Sequence, residues 1–185
     1  GIYRGRGLYS FADNHDVDRV ASRLRDPALL YPLYALLFSM PGIPSLYYGS
    51  EWGLAGLRTP HSDTALRPAL ELAQAAQSAA QPDLPEAIRR LAAVRASSAA
   101  LQHGDYAEVH VAPQQFAFLR STPDEQVLVV LNAADEPAEL NLKLITGNEP
   151  RDNYDCLQIA RIVRSSAGGY ALHDVWTPPL LNVKA

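Results

Sequence analysis

Cysteine occurs once in 185 residues, at Cys156. No internal disulfide framework can be built from one thiol, and no Cys-rich zinc site either. A single cysteine is compatible with a reducing compartment; the sequence leaves the location open, with the cytoplasm as the expectation. Basic residues are not in excess. Lys plus Arg is 16 against 20 for Asp plus Glu, a formal charge of -4. A nucleic-acid-binding face would normally show a basic surplus or stripe, so nucleic acid is not an expected partner. Long apolar runs are also missing. The longest, Ala28 to Met40, contains Pro32 and falls well short of the ~20 residues that span a bilayer. No membrane association is therefore expected. No Gly-rich phosphate loop, solenoid repeat or low-complexity tract occurs. His61, His103, His110 and His173 are scattered and form no metal-ligand spacing, so no transition-metal site is expected. The chain opens on Gly1, and GIYRGRGLYSFADNHD carries no apolar signal-like stretch; it reads as processed or excised.

What is present is a core-forming composition, 48% apolar and 19% charged, enough for one or two domains. The pattern changes near residue 105. Before it, Gly7–Ala12 reads as a short strand followed by the polar cluster Asp13-Asn14-His15-Asp16. Pro27 suits the first turn of a helix, where a missing N–H costs nothing. That helix, Ala28 to about Met40, is apolar nearly all round and should be buried on most sides. Pro41-Gly42 ends it, and Ile43–Tyr48 forms a second strand. Strand, helix, strand at this spacing predicts a parallel pair, with Tyr47 and Tyr48 as core strand residues. Residues 65–80 look helical. Another helix begins near Pro85, with Asp83 as a candidate cap, and sets Ile88, Leu91, Ala92 and Arg95 on one face. After residue 105, strands are expected at Tyr106–Val111, Gln115–Arg120, Gln126–Asn132 and Ala138–Leu144. Further strands are expected at Leu157–Val163, Tyr170–His173 and Leu180–Val183, with a turn at Gly168-Gly169. The expected domains are 1–105 and 106–185.

The cluster after the first strand carries the chemistry. Two carboxylates, an amide and an imidazole follow a strand directly, and in parallel α/β folds sites form at the C-terminal strand ends. Such a group can hydrogen-bond several hydroxyls at once, as sugar recognition requires. The plain alternative is a turn with capping Asp and Asn.

Phe11-Ala12-Asp13-Asn14-His15-Asp16 resembles the fourth sequence region of the α-amylase family of glycoside hydrolases, in which Asn-His-Asp closes barrel strand seven. Val17-Asp18-Arg19 extends the likeness. Met40-Pro41-Gly42-Ile43-Pro44-Ser45-Leu46-Tyr47-Tyr48-Gly49-Ser50-Glu51 is similar to the family's strand-eight segment, and one helix separates the two. Asp63 and Arg67 resemble the pair that lines outer sugar subsites in cyclomaltodextrinase- and neopullulanase-like members. The resemblance implies an α/β plus all-β chain: strands seven and eight of a TIM (β/α)₈ barrel, then an antiparallel β-sandwich in residues 106–185.

It implies that Asp16 is the third family carboxylate, stabilising the distorted, oxocarbenium-like sugar, and that His15 is a sugar-hydroxyl ligand. Asn14 supports that loop beside the substrate, and Asp13 reads as a turn residue or as one that supports the site from behind. Arg19 pairs either with a site carboxylate or with a surface acid; both readings stand open. For Asp63 and Arg67 the alternative is a helix cap and a surface cation. The family's nucleophile and general acid have no counterpart here, and a retaining glycosidase needs both. The expectation is therefore a C-terminal fragment, inactive by itself, of an enzyme acting on α-glucans. A transglycosylating or isomerising member, or a non-catalytic carbohydrate-binding or interaction module, is the alternative. No cofactor is implied; structural calcium in the parent stays open, its ligands usually lying in other segments. Self-association through the uncovered barrel face is expected.

Overall fold

The computed structural model describes residues 6–134, and beyond them the backbone of four strands at 138–139, 153–154, 158–164 and 170–176. The chain divides into two compact units, Gly1–Ala92 and Ala93–Ala185.

The first unit is built on two short parallel strands, β1 (Tyr9–Phe11) and β2 (Ile43–Ser45). Tyr9 pairs with Ile43, Ser10 with Pro44 and Phe11 with Ser45. The parallel pairing is as expected, but both strands are shorter than the apolar pattern suggested. Tyr47 and Tyr48 lie beyond the end of β2, half-buried and exposed respectively, and not in a strand core. The crossover between the strands holds helix α1 (Leu30–Ser39), entered through a single 3₁₀ turn at Pro27–Leu29. The Asp26 side chain accepts the Ala28 N–H at 2.8 Å, an N-cap, and Pro27 follows it. Pro32 sits in the first turn of α1, where its missing N–H has no intrahelical partner to lose. Leu30, Tyr31, Tyr34, Ala35 and Ser39 are buried and no residue of α1 is exposed, as an all-round apolar helix requires.

The return from α1 to β2 is tight. Gly42 has φ +120°, and a Cβ there would lie 2.6 Å from the Leu8 carbonyl oxygen. The next residue, Ile43, donates its N–H to that same carbonyl at 2.7 Å. Only glycine satisfies both the backbone angle and the approach.

The remainder of this unit departs from the sequence reading in two places. Residues 65–80 are not one helix: a 3₁₀ turn at Thr64–Leu66 and the short α2 (Leu72–Gln77) flank Pro68, whose ring restricts the residue before it. Helix α3 (Leu84–Ser97) starts where expected, but its buried stripe is Leu84, Ala87, Ile88 and Leu91, and Ala92 is exposed. The spacing i, i+3, i+4, i+7 is right and its origin lies one turn earlier. The two compact units part within this helix, whereas the expected boundary at 105–106 lies where helices give way to strands.

In the second unit, helix α4 (Ala99–His103) leads into an antiparallel sheet of β3 (Asp105–Ala112), β4 (Gln115–Ser121), β5 (Gln126–Asn132), β8 (Gln158–Arg164) and β9 (Tyr170–Trp176), in the order β3-β4-β5-β8-β9. β6 (Ala138–Glu139) pairs separately with β7 (Asn153–Tyr154). β5 lies in the middle and buries Val127 through Leu131, matching its uninterrupted apolar run. Phe118 of β4 is fully buried, with its ring 5.2 Å from Phe116 and 5.5 Å from Tyr106. Expected strand residues 140–144 and 180–183, and the turn at Gly168-Gly169, lie outside the described residues.

Gly42→Ala should destabilise the first unit by more than about 1 kcal/mol, because it forces a side chain both into a left-handed backbone and against a carbonyl. Chemical denaturation of wild type and variant measures this; equal midpoints would show that the turn relaxes without cost.

Candidate active site

Asp13 ends the first strand and turns inward. It is 3% exposed, and an isolated carboxylate cannot be buried without donors. Its Oδ2 accepts the Val20 N–H at 3.0 Å, and the Ser50 hydroxyl lies 2.8 and 3.0 Å from its two oxygens. Arg19 is fully buried. One of its nitrogens, Nη1, donates to the Tyr48 carbonyl at 2.6 Å and to the Ser50 hydroxyl at 3.3 Å. A guanidinium, a hydroxyl and a carboxylate therefore form one chain of hydrogen bonds. The Tyr34 hydroxyl donates to the Ser50 carbonyl at 3.2 Å. Burial, and then the negative charge of Asp13, push that phenol well above its ordinary value, so it stays a donor.

Between these anchors the chain loops outward. Asn14 Oδ1 accepts the Asp16 N–H at 2.8 Å, closing an Asx turn. His15 Nε2 lies 3.3 Å from Asp16 Oδ2, with both side chains more than half exposed. Asp18 ties the far side of the loop to the segment after β2. Its Oδ1 accepts the Arg58 N–H at 2.6 Å, and Arg23 pairs with its other oxygen. The Arg58 N–H first, and then the charged Arg23, hold the Asp18 carboxyl below its usual value of 3.8. Gly56 completes the stitching: its N–H meets the Ser22 hydroxyl at 2.7 Å and its carbonyl accepts the Arg19 N–H at 2.9 Å.

Tyr47 is half-buried beside this loop. The Arg19 guanidinium carbon lies 4.2 Å from its ring centroid, Tyr48 packs edge-on at 4.7 Å, and the His15 ring is 6.4 Å away. Arg67 forms an ion pair with Asp63 four residues earlier, both partly exposed. Burial, and then the neighbouring Tyr48, push the Tyr47 hydroxyl above its ordinary value, against smaller opposing effects of the Arg19 and Arg67 charges.

Of the residues singled out by sequence, His15 and Asp16 are brought together and face solvent, while Asn14 shapes their turn. Asp63 and Arg67 pair with one another, and Asp63 makes no side-chain cap. Arg19 points inward, onto the faces of two tyrosines; neither a site carboxylate nor a surface acid is within ion-pair distance of it among the described residues. Sequence reading missed Ser50, Tyr34, Arg58 and the position of Tyr47. The first three sit in segments whose pattern reports only burial or loop. Among the described residues no group of three His, Cys, Asp or Glu is placed to hold a metal ion, and no helix is long and apolar enough to cross a membrane.

Residues 5–103 match the model of the alpha amylase catalytic domain, and residues 107–162 that of the maltogenic amylase C-terminal domain. Neopullulanase 2 of Thermoactinomyces vulgaris is 30% identical over 75% of this chain and 23% of its own length. The mouse (Mus musculus) amino acid transporter heavy chain SLC3A2 is 32% identical over 59% of this chain and 24% of its own. Among solved structures, the cyclic α-maltosyl-(1→6)-maltose hydrolase of Arthrobacter globiformis, in complex with cyclic α-maltosyl-(1→6)-maltose, superposes with a TM-score of 0.63. It is 30% identical and covers 77% of this chain and 30% of that one. The chain spans 12–26% of the length of the curated relatives it matches.

Two predictions follow from the division between buried and exposed carboxylates. Asp13→Ala should cost about 3 kcal/mol or more, since it strips a buried network that includes a guanidinium, while Asp16→Ala should stay within about 0.5 kcal/mol. Urea unfolding of both variants checks this, and similar losses would contradict the division. Asp18 has a folded value below its unfolded one, so its contribution is present above about pH 4 and is lost as pH falls through the folded value. Asp18→Asn should therefore lower the melting temperature at neutral pH, with the gap to wild type closing as the pH drops below 3.8. A gap that stayed constant with pH would mean the carboxylate charge is not what holds the loop.

Proposed function

The chain belongs to the α-amylase family, and from that premise we propose that it is part of a retaining glycoside hydrolase that cleaves α-glucosidic bonds in maltodextrins or starch-like glucans. Its fold is a portion of the (β/α)₈ catalytic barrel followed by an antiparallel C-terminal β domain. The observation that carries the functional reading is the exposed His15–Asp16 pair at the end of β1, set on a loop whose ends are buried and bonded.

In this reading Asp16 accepts hydrogen bonds from hydroxyls of the reacting glucose. A charged acceptor binds more strongly than a neutral one, and its bonds tighten as positive charge grows on the ring. His15 donates to or accepts from a neighbouring hydroxyl, Asn14 holds the turn, and Asp63 with Arg67 contacts a sugar further along. Arg19, being buried, serves from below. Retaining hydrolysis needs a nucleophile and an acid about 5–5.5 Å apart. Within the loop, Asp13 and Asp18 are occupied with backbone and side-chain donors, which supports Asp16 as the loop's reacting carboxylate; the family resemblance implies that the other two catalytic carboxylates belong to barrel segments other than these. The 185 residues alone are then inactive. Tyr9 and Ile43, which face each other across the strand pair, are 67% and 56% exposed. Apolar exposure of this kind supports a surface covered by further strands, or by self-association when they are missing.

The likeness to an amino acid transporter heavy chain favours a second reading, an interaction protein of this fold without turnover. Asp16→Asn in the full-length protein separates the two. If the enzyme reading holds, kcat on maltodextrin falls by about a hundredfold or more with little change in KM, since the charge acts mostly in the transition state. Undiminished kcat removes Asp16 from the chemistry, and a wild-type protein with no turnover on any α-glucan supports the second reading.

A further inference from the structure

Tyr47 has a setting that neither the strand pattern nor the proposed reaction explains. Its ring is half-buried beyond the end of β2, and one neighbour, Arg19, is a fully buried guanidinium centred 4.2 Å from it. Arg19 is held by its Nη1 bonds to Tyr48 and Ser50, while its Nε and Nη2 are buried with no hydrogen-bond partner among the described residues. Leaving two guanidinium donors unbonded is costly. The residue stays there because its charge lies over the electron-rich faces of Tyr47 and Tyr48, at 4.2 and 5.0 Å, where a desolvated cation is attracted most strongly. The planar guanidinium both stacks on the ring and fixes the Tyr48 carbonyl, a combination an ammonium group does not reproduce.

The consequence is a ring held by a guanidinium over it and by Tyr48 edge-on, beside the His15–Asp16 pair. His15, whose Nε2 lies 3.3 Å from Asp16 Oδ2, is 6.4 Å from it by ring centroid. Pyranose rings carry apolar C–H faces that pack on aromatic rings, and a rigid aromatic gives contact area at little entropic cost.

We propose that Tyr47 is a sugar-stacking platform beside His15–Asp16, and that Arg19 is a positioning residue that fixes its ring. The inference rests on the α-glucan reading above and adds to it the group that takes the apolar face of the bound hexose. Such a contact is made equally in the ground and transition states, so its loss belongs in KM and not in kcat.

The test uses the full-length protein with maltotriose as substrate and four variants: Tyr47→Leu, Tyr47→Phe, Arg19→Met and the Arg19→Met/Tyr47→Leu double. Thermal melting first establishes that each is folded. The expected result is a rise in KM of about tenfold for Tyr47→Leu, with kcat changed less than about threefold. Tyr47→Phe, which keeps the ring, should recover most of the KM. Arg19→Met should raise KM as well, and the double variant should be no worse than Tyr47→Leu, because the arginine acts through the ring. An unchanged KM in folded Tyr47→Leu overturns the proposal. Additive effects in the double variant overturn the role given to Arg19, and if Arg19→Met does not fold, the Tyr47 pair still decides the platform. Asp16→Asn run alongside distinguishes the two levels: normal kcat there overturns the α-glucan reading and the platform with it, whereas lost kcat beside an unchanged Tyr47→Leu KM overturns the platform alone.

Discussion

The hydrogen-bond chain from Arg19 through Ser50 to Asp13 is the constraint on which the exposed site depends. Neither charged residue could be buried by itself. Ser50 makes the burial workable because a hydroxyl donates once and accepts as well: it gives to Asp13 and takes from Arg19. Asp13 and Arg19 lie six positions apart, and both ends of that short stretch are therefore pinned against the turn after β2. What lies between has no freedom to collapse inward. His15, Asp16 and Val17 are exposed because their neighbours on either side are not. A loop that presents polar groups for recognition needs this kind of support, since side chains on an unanchored turn would lose orientation with each fluctuation.

The frame of the first unit was legible because it is written in apolar periodicity and in proline and glycine. Pro27, the all-round apolar stretch to Met40, and Pro41-Gly42 mark the beginning and end of α1, and the parallel pairing follows from the length of the crossover. Strand length was not legible. The run Ile43–Tyr48 is apolar enough for six residues of strand, yet pairing ends at Ser45, because its partner β1 ends at Phe11 and Asp13 then leaves for the interior. An apolar run reports which side chains avoid water; it does not report where the neighbouring strand stops. The two tyrosines pack against a buried guanidinium instead, Tyr47 half-buried and Tyr48 exposed.

Arg19 shows why the polar interior was the least readable part. Sequence patterns sort residues by type, and arginine belongs on the surface by that sorting. Its burial depends on Tyr47 and Tyr48, 28 and 29 positions away, and on a serine at 31, none of which forms a local motif with it. The second unit repeats the lesson at smaller scale. β5 was legible as an unbroken apolar run, whereas α4 was not foreseen. Five residues are too few to nucleate a helix unaided. The Ser98 cap to Leu101 and the Glu125 carboxylate on Ser98 and the Ala100 N–H supply what local propensity does not, and Glu125 is 27 positions from Ser98 along the chain.

Two carboxylates three positions apart thus have opposite fates, and the difference is a matter of donors and not of residue type. Asp13 meets a backbone N–H and a hydroxyl and is spent on structure. Asp16 meets an imidazole that is itself exposed, so its acceptor capacity is left for something arriving from solvent. The same separation holds among the cations. Arg19 is consumed by an aromatic pair, a carbonyl and a hydroxyl, while Arg67 pairs, among the described residues, with Asp63 at the surface. Tyr47 touches both classes: it covers the buried cation and lies beside the exposed imidazole. In the proposed arrangement that ring would carry the order of the buried network to the exposed loop, beside the two short strands described in this unit.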